Sequence, residues 1–177
     1  MSNETPLILR DCREEDVPAI AAIYADAVTN GTASFELTAP DVAEMAARRA
    51  TLLRGGYPYI VAERDGTVLG YAYAGAYRPR PAYGATVENS IYVSPAAKGQ
   101  GVGKALLARL IEEAKARGFR QMIAVIGDSE NHASRALHAS LGFELSGVLR
   151  SVGWKHGRWL DSVLMQRALG EGDRTPR

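Results

Sequence analysis

Hydrophobic positions follow two rhythms along the 177-residue chain. Val17, Ile20, Ala21, Tyr24 and Val28 recur every three or four residues, which places them on one face of an α-helix. The same spacing returns in Val102, Leu106, Leu107, Leu110, Ile111 and Ala114 and predicts a helix over 101–117, with Lys115 and Arg117 in its last turn and Gly118 at its cap. Val42, Met45, Leu52 and Leu53 predict another, opening near Thr38–Asp41, with Arg48 and Arg49 on its wet side and Gly55-Gly56 at its end. Stretches 57–63 and 68–77 are dense in aromatic and β-branched residues instead, and the Asp65-Gly66 pair between them predicts an antiparallel hairpin.

The rest of the chain fills in around these segments. Leu7–Leu9 reads as a short strand, and Asp11 and Glu14 stand at the spacing of a capping box for the first helix. The loop Arg78-Pro79-Arg80-Pro81 cannot continue a ladder, because proline has no N–H to donate, and a strand over 86–93 follows it. Further on come a strand at 121–126, a helix at 131–140 stopped by Gly142, and strands at 143–152 and 159–166 joined at Gly157. Strands interrupted by helices, with hairpins towards both ends, predict an α/β domain: a mixed, mostly antiparallel central sheet flanked by helices. It should occupy 1–169, leaving a polar, Gly- and Pro-containing tail at 170–177 that is expected to fray.

Composition narrows the function classes. With 46% hydrophobic and 23% charged residues the chain can bury a full core without staples. Its 21 basic and 20 acidic residues are interspersed and give a net charge of +1, so no basic block marks a nucleic-acid or anionic-membrane surface. Cys12 is the only cysteine, which excludes an intrachain disulfide and a cysteine-paired zinc site and suits a reducing compartment. Residues 1–10 lack the basic start and apolar run of a signal peptide, and the apolar run 68–77 is too short to span a bilayer. A cytoplasmic protein is the expectation.

The chemistry concentrates in Tyr92-Val93-Ser94-Pro95-Ala96-Ala97-Lys98-Gly99-Gln100-Gly101-Val102-Gly103-Lys104, where a strand runs through three alternating glycines into a long helix. Glycines let backbone amides crowd a ligand, and a helix start offers unpaired N–H groups and the positive end of a dipole. Together they form a phosphate cradle. A nucleotide-binding Walker loop would need Gly at Lys98 and Ser or Thr at Ala105, and a dinucleotide fingerprint would need Gly or Ala at Lys104 or Leu106. Both fail, and with the first fails its magnesium-binding hydroxyl, so no metal is expected.

The run Lys98, Gly99, Gln100, Gly101, Val102, Gly103 resembles the coenzyme A loop of the GNAT acetyltransferase superfamily, with Lys98 where Arg or Gln is usual. Asn131, Ser134, Leu137, His138, Leu141, Gly142 and Phe143 resemble the second cofactor-binding segment of that superfamily. The stretches 86–93, 71–75 and 152–161, the last containing Lys155-His156-Gly157-Arg158-Trp159, are similar to the branch that acetylates phosphinothricin and methionine sulfone or sulfoximine. The likeness runs from Leu7 to Leu169.

This resemblance implies acetyl-CoA as co-substrate and a small amine as acceptor. It implies cofactor contacts at Ile91, Tyr92, Val93, Gly99, Gln100, Gly101, Val102, Gly103, Lys104, Asn131 and Ser140. Asn131 read alone is equally a helix cap. Attack on a thioester needs a neutral amine, and Glu88 stands where the branch places substrate contact and base function; the other reading is a solvated strand carboxylate. His138 stands where many superfamily members carry the tyrosine that protonates the departing thiolate, or else packs a helix. The substrate loop Arg78, Pro79, Arg80 is suited to hold an acidic group by paired hydrogen bonds, although two loop arginines considered alone are more often just solvated. Lys155 and His156 are secondary candidates, and Trp154, Trp159 and Tyr83 read as packing residues. The branch implies a homodimer. Two alternatives stay open: the same chemistry on a polyamine, aminoglycoside or protein N-terminus, disfavoured by the basic loop, and a coenzyme A-binding module without turnover.

Overall fold

A computed structural model describes residues 5–177; the first four residues of the stretch read above for targeting signals lie outside it. The chain forms β1 (Ile8–Asp11), α1 (Val17–Asn30), α2 (Val42–Arg54), β2 (Tyr59–Arg64), β3 (Thr67–Ala76), β4 (Thr86–Val93), α3 (Val102–Ala116), β5 (Gln121–Gly127), α4 (His132–Ser140), β6 (Glu144–Lys155) and β7 (Arg158–Ala168). Its sheet has the order β1-β2-β3-β4-β5-β7-β6, and every neighbouring pair is antiparallel except β4 and β5. The mixed, mostly antiparallel architecture matches the expectation.

Strand alternation divides the core in two. Ile60, Ala62, Ala72, Ala74, Val87 and Met122 pack with Val102, Leu106, Leu107 and Leu110 of α3, while Tyr59, Val61 and Tyr71 face α1 and Met45 of α2. The three α3 leucines are fully buried, each contributing roughly 1.5–3 kcal/mol. The β2–β3 turn is the predicted one, with Asp65 and Gly66 both at positive φ (50° and 74°) as a two-residue hairpin demands.

Three local expectations are corrected. Asp11 belongs to β1, and the first helix is entered through a box two residues later, in which the Arg13 amide donates to Asp16 Oδ2 at 2.7 Å. Asp16 is held there by Arg10, whose guanidinium donates to both carboxylate oxygens at 2.8 Å and draws its pKa down. In α2 only Met45 is buried; Val42 and Leu53 are exposed, and Arg49 donates to the Cys12 carbonyl at 2.6 Å instead of pointing into solvent. Trp154 and Trp159 pack edge-to-face on each other at 5.2 Å yet stay exposed on the hairpin at the sheet edge. The tail at 170–177 receives hydrogen bonds from Arg120 at the Gly172 and Pro176 carbonyls and at Thr175 Oγ1, and its Arg177 donates to the Gly84 carbonyl.

Candidate active site

The site originates in a fork. Pairing of β4 with β5 runs from Thr86↔Gln121 to Asn89↔Ala124 and stops, while β4 continues to Val93 and β5 to Gly127. The two strands part around a cleft of about 880 Å³. Glu88 to Val93 form one wall and Ala124 to Asp128 the other; Lys98, Gly99 and 101–104 close the end beyond the tip of β4, and the end of α1 with residues 31–35 closes the end beside the tip of β5.

At the first end Gly99 and Gly101 adopt φ of 77° and 79°, the left-handed region that glycine enters without strain. This curls the chain so that the amides of 101–104 find no backbone acceptor among the described residues and open α3 towards the cleft. Gly103 has ordinary helical geometry, and a side chain there would lie about 3.4 Å from Leu137, in open contact with the cleft wall. Four unpaired amides, a helix dipole and the exposed Lys104 are the donor set that a pyrophosphate needs.

Glu88 lies at the base of the fork, one rung before the ladder stops, half-buried and opposite Gly75 of β3 and Ile123 of β5. No side-chain hydrogen bond ties its carboxylate among the described residues, and burial pushes its pKa up, partly offset by the positive charge of Arg78. A carboxylate freed of partners and raised towards neutrality is suited to take a proton.

His138 is buried on α4 and lines the cleft beside Asn89. Its Nδ1 lies 2.8 Å from the Ser134 carbonyl and its Nε2 3.0 Å from Asn89 Oδ1, while Asn89 Nδ2 donates to the Ile123 carbonyl at 3.2 Å. Both ring nitrogens thus face oxygen acceptors, an arrangement that suits the imidazolium, whereas burial lowers the ring's pKa and the Ser134 carbonyl opposes that. Asn131 caps α4, its Oδ1 accepting from the Ser134 amide at 3.2 Å, and also lines the cleft. The cap reading of Asn131 therefore holds in its geometry.

The other sequence candidates divide. Ile91, Tyr92, Val93, Gly99, Gly101, Val102, Gly103, Lys104 and Asn131 line the cleft. Gln100 is turned away, bonded to Arg64 and to the Ala96 carbonyl, and Ser140 Oγ donates to the Leu137 carbonyl of its own helix. Arg78, Pro79 and Arg80 do not form the wall; Arg78 lies over the Tyr77 ring at 5.0 Å. Sequence reading missed Asn89, Asp26, Asn30 and the segment 31–35. Asn89 adjoins Glu88 in a run already singled out, but the loop carries no periodicity or motif that would have marked it.

A model of the acetyltransferase (GNAT) family matches residues 18–143. The chain belongs to that family. It is 58% identical over 167 residues to a phosphinothricin N-acetyltransferase of Alcaligenes faecalis, covering 94% of this chain and 85% of the relative. It is 48% identical over 162 residues to an L-methionine sulfoximine/L-methionine sulfone acetyltransferase of Pseudomonas aeruginosa, covering 91% and 94%. A crystal structure of a GNAT superfamily phosphinothricin acetyltransferase from Sinorhizobium meliloti in complex with AcCoA superposes with a TM-score of 0.94 at 53% identity, covering 96% of this chain and 92% of that one. This acetyltransferase therefore carries at 101–104 a cradle whose chemistry fits acetyl-CoA. Among the described residues no group of three or more His, Cys, Asp or Glu could hold a metal ion, and no helix is long and apolar enough to cross a membrane.

Proposed function

We propose that this acetyltransferase moves the acetyl group of acetyl-CoA to the α-amine of a small amino acid analogue of the phosphinothricin, methionine sulfoximine or methionine sulfone type. The observation that carries the reading is Glu88, a half-buried carboxylate without a side-chain hydrogen bond among the described residues, which lines the same cleft as the 101–104 cradle and the 31–35 segment. A pyrophosphate held at 101–104 directs the thioester along the fork, where amides of Ile91 to Val93 facing away from β3 are available to the pantetheine arm and the thioester carbonyl. The acceptor enters from the other end, past Asp26, and reaches Glu88 at the base of the fork, the two carboxylates supplying negative charge for an ammonium group. Glu88 takes the ammonium proton, directly or through water; the amine nitrogen attacks the carbonyl carbon; the nitrogen sheds its second proton to solvent as the C–S bond breaks; and protonated His138 donates a proton to the departing thiolate. Arg78 and Arg80, outside the wall but on the loop leading into β4, are assigned to the acidic group of the acceptor.

Two further readings go with this. Strand β6 is a sheet edge whose Leu145, Leu149, Val152 and Trp154, with Trp159, are exposed, which supports pairing with a second copy. Cys12 is free and buried, in keeping with work in the cytoplasm.

The experiment is thiol release from acetyl-CoA across phosphinothricin, methionine sulfoximine, methionine sulfone, polyamines, aminoglycosides and peptides. Turnover confined to the amino acid analogues is the expected result. Preference for a polyamine or aminoglycoside would move the acceptor class, and no turnover with intact coenzyme A binding would favour a binding module. Light scattering gives the oligomeric state, a monomer at micromolar concentration opposing the dimer.

A further inference from the structure

The segment that closes the acceptor end of the cleft has almost nothing of its own to hold it. From Thr32 to Pro40 the backbone makes no backbone–backbone hydrogen bond among the described residues and no regular element. Its carbonyls are held by side chains from the distant β6–β7 hairpin. Lys155 Nζ donates to the Ser34 carbonyl at 2.7 Å, and His156 Nε2 lies 3.1 Å from the Gly31 carbonyl. The same hairpin packs Gly153 so closely against the Phe35 ring that a methyl group there would sit 2.5 Å from Cε2. At the end of β5, Asp128 accepts from Thr32 Oγ1 at 3.0 Å and is itself paired with Arg158 of β7.

Lys155 stands out among these contacts. It is only 4% exposed, its one hydrogen bond is to a main-chain oxygen, and no carboxylate forms an ion pair with it among the described residues. Burial lowers its pKa, and Glu36 opposes that from a distance. Burying an ammonium group costs free energy that its remaining bonds must offset, and here that bond is to the Ser34 carbonyl. The Ser34 that it holds is also the centre of a polar cluster: its Oγ lies 2.9 Å from Tyr24 Oη and accepts from the Glu36 amide at 3.2 Å, and Glu36 is bound by Arg48. Ser34 and Phe35 both line the cleft.

From this geometry we infer that Lys155 is a positioning residue for the acceptor: it fixes the 31–36 segment, and through Ser34 and Phe35 the shape of the amine-binding end of the cleft, without touching either substrate. This rests on the proposed acceptor reading for its kinetic consequence but not for its structural one. The cradle at 101–104 lies at the other end of the cleft and is indifferent to Lys155.

The test replaces Lys155 with methionine, which keeps the stem and removes the ammonium. Amide hydrogen exchange on the free protein should accelerate at Gly31 and Glu36, the amides of 31–36 that are hydrogen-bonded among the described residues, and stay unchanged in α3. The Michaelis constant for the amine that turns over best should rise about tenfold, the effect of one charge-assisted bond, while that for acetyl-CoA stays within about twofold. His156→Asn, at an exposed position whose left-handed φ of 52° asparagine tolerates, releases the Gly31 carbonyl and should shift both readouts the same way by less. Unchanged exchange across 31–36 in both variants would overturn the inference, as would equal losses for both substrates in proportion to a lowered Tm. If the wild type acetylates no amine, the acceptor reading fails, while the exchange arm still decides whether Lys155 holds the segment.

Discussion

Replacing Glu88 with glutamine keeps the side chain's shape and removes its basicity. Because no side-chain hydrogen bond to Glu88 is lost, the substitution isolates proton removal from packing. General-base assistance contributes roughly 10²–10⁴ in rate, about 3–5 kcal/mol of barrier, so kcat should fall by that factor at neutral pH. Acetyl-CoA affinity should hold, since the cradle at 101–104 is separate from the carboxylate. Stability supplies an independent check. Burial raises the pKa of Glu88, so the folded state holds this proton more tightly than the unfolded chain does. The stabilisation from that bound proton is complete below the ordinary carboxylate pKa and is lost as pH rises through the raised one. Glu88→Gln should therefore match the wild type at low pH and equal or exceed its Tm at pH 7. Single-turnover thiol release, titration of acetyl-CoA binding and thermal melts at two pH values make up the assay. Near-normal turnover at neutral pH would refute the base assignment, and a large loss of Tm at pH 7 would show that the carboxylate serves the fold.

Gly103→Val should weaken acetyl-CoA binding at least tenfold with little change in Tm, whereas Gly101→Val, at φ 79°, should lose binding and also about 1–2 kcal/mol of stability, as melts and titrations will show. Coenzyme A affinity measured with and without a chelator should be the same, because the cradle is made of amides; restoration by magnesium would count against it. Arg78→Ala should raise the Michaelis constant for an amino acid analogue by up to 1.5–3 kcal/mol equivalent, roughly 10–150-fold, and far less for its ester or amide. Equal effects on acid and ester would leave Arg78 without a role in recognition.

Much of the fold was legible because its signals are local. The α3 periodicity, Gly118 and the Asp65-Gly66 turn each describe contacts within a few residues, and the structure reproduces them within a residue or two at the ends. The entry to α1 was misplaced because two acidic residues, Glu14 and Asp16, compete as partners for a cap, and the choice falls to Arg10 reaching Asp16 from β1. The apolar positions assigned to α2 were half wrong because it lies across the edge of the second core and buries only Met45. In the site, the phosphate cradle was legible for the same reason as the helices: Gly99 and Gly101 announce their own backbone angles. Lys155 and Ser34 were not, since what joins them is a bond spanning 121 residues between a hairpin and a loop without pattern.

The placement of the site follows from one interruption of the sheet. A parallel pair such as β4 and β5 requires a crossover, here α3, and that helix must begin where β4 ends. Stopping the ladder at Asn89↔Ala124 therefore opens the sheet directly beside the unpaired amides of the helix start, so one break supplies both a slot for an extended ligand and an anion site at its mouth. At the last rung Asn89 joins the two strands through its amide, bonding the Ile123 carbonyl on one side and His138 on the other. Glu88, one residue earlier, lines the cleft from the rung before it. The candidate base, the candidate acid and the end of the β4–β5 ladder are thus fixed by two consecutive residues of β4. The acceptor end has no comparable backbone device, and it depends on the side chains of the β6–β7 hairpin for its shape. On the proposed acceptor reading, substitutions confined to the 31–36 segment and the hairpin tip should therefore change amine preference with β4 and α3 left intact.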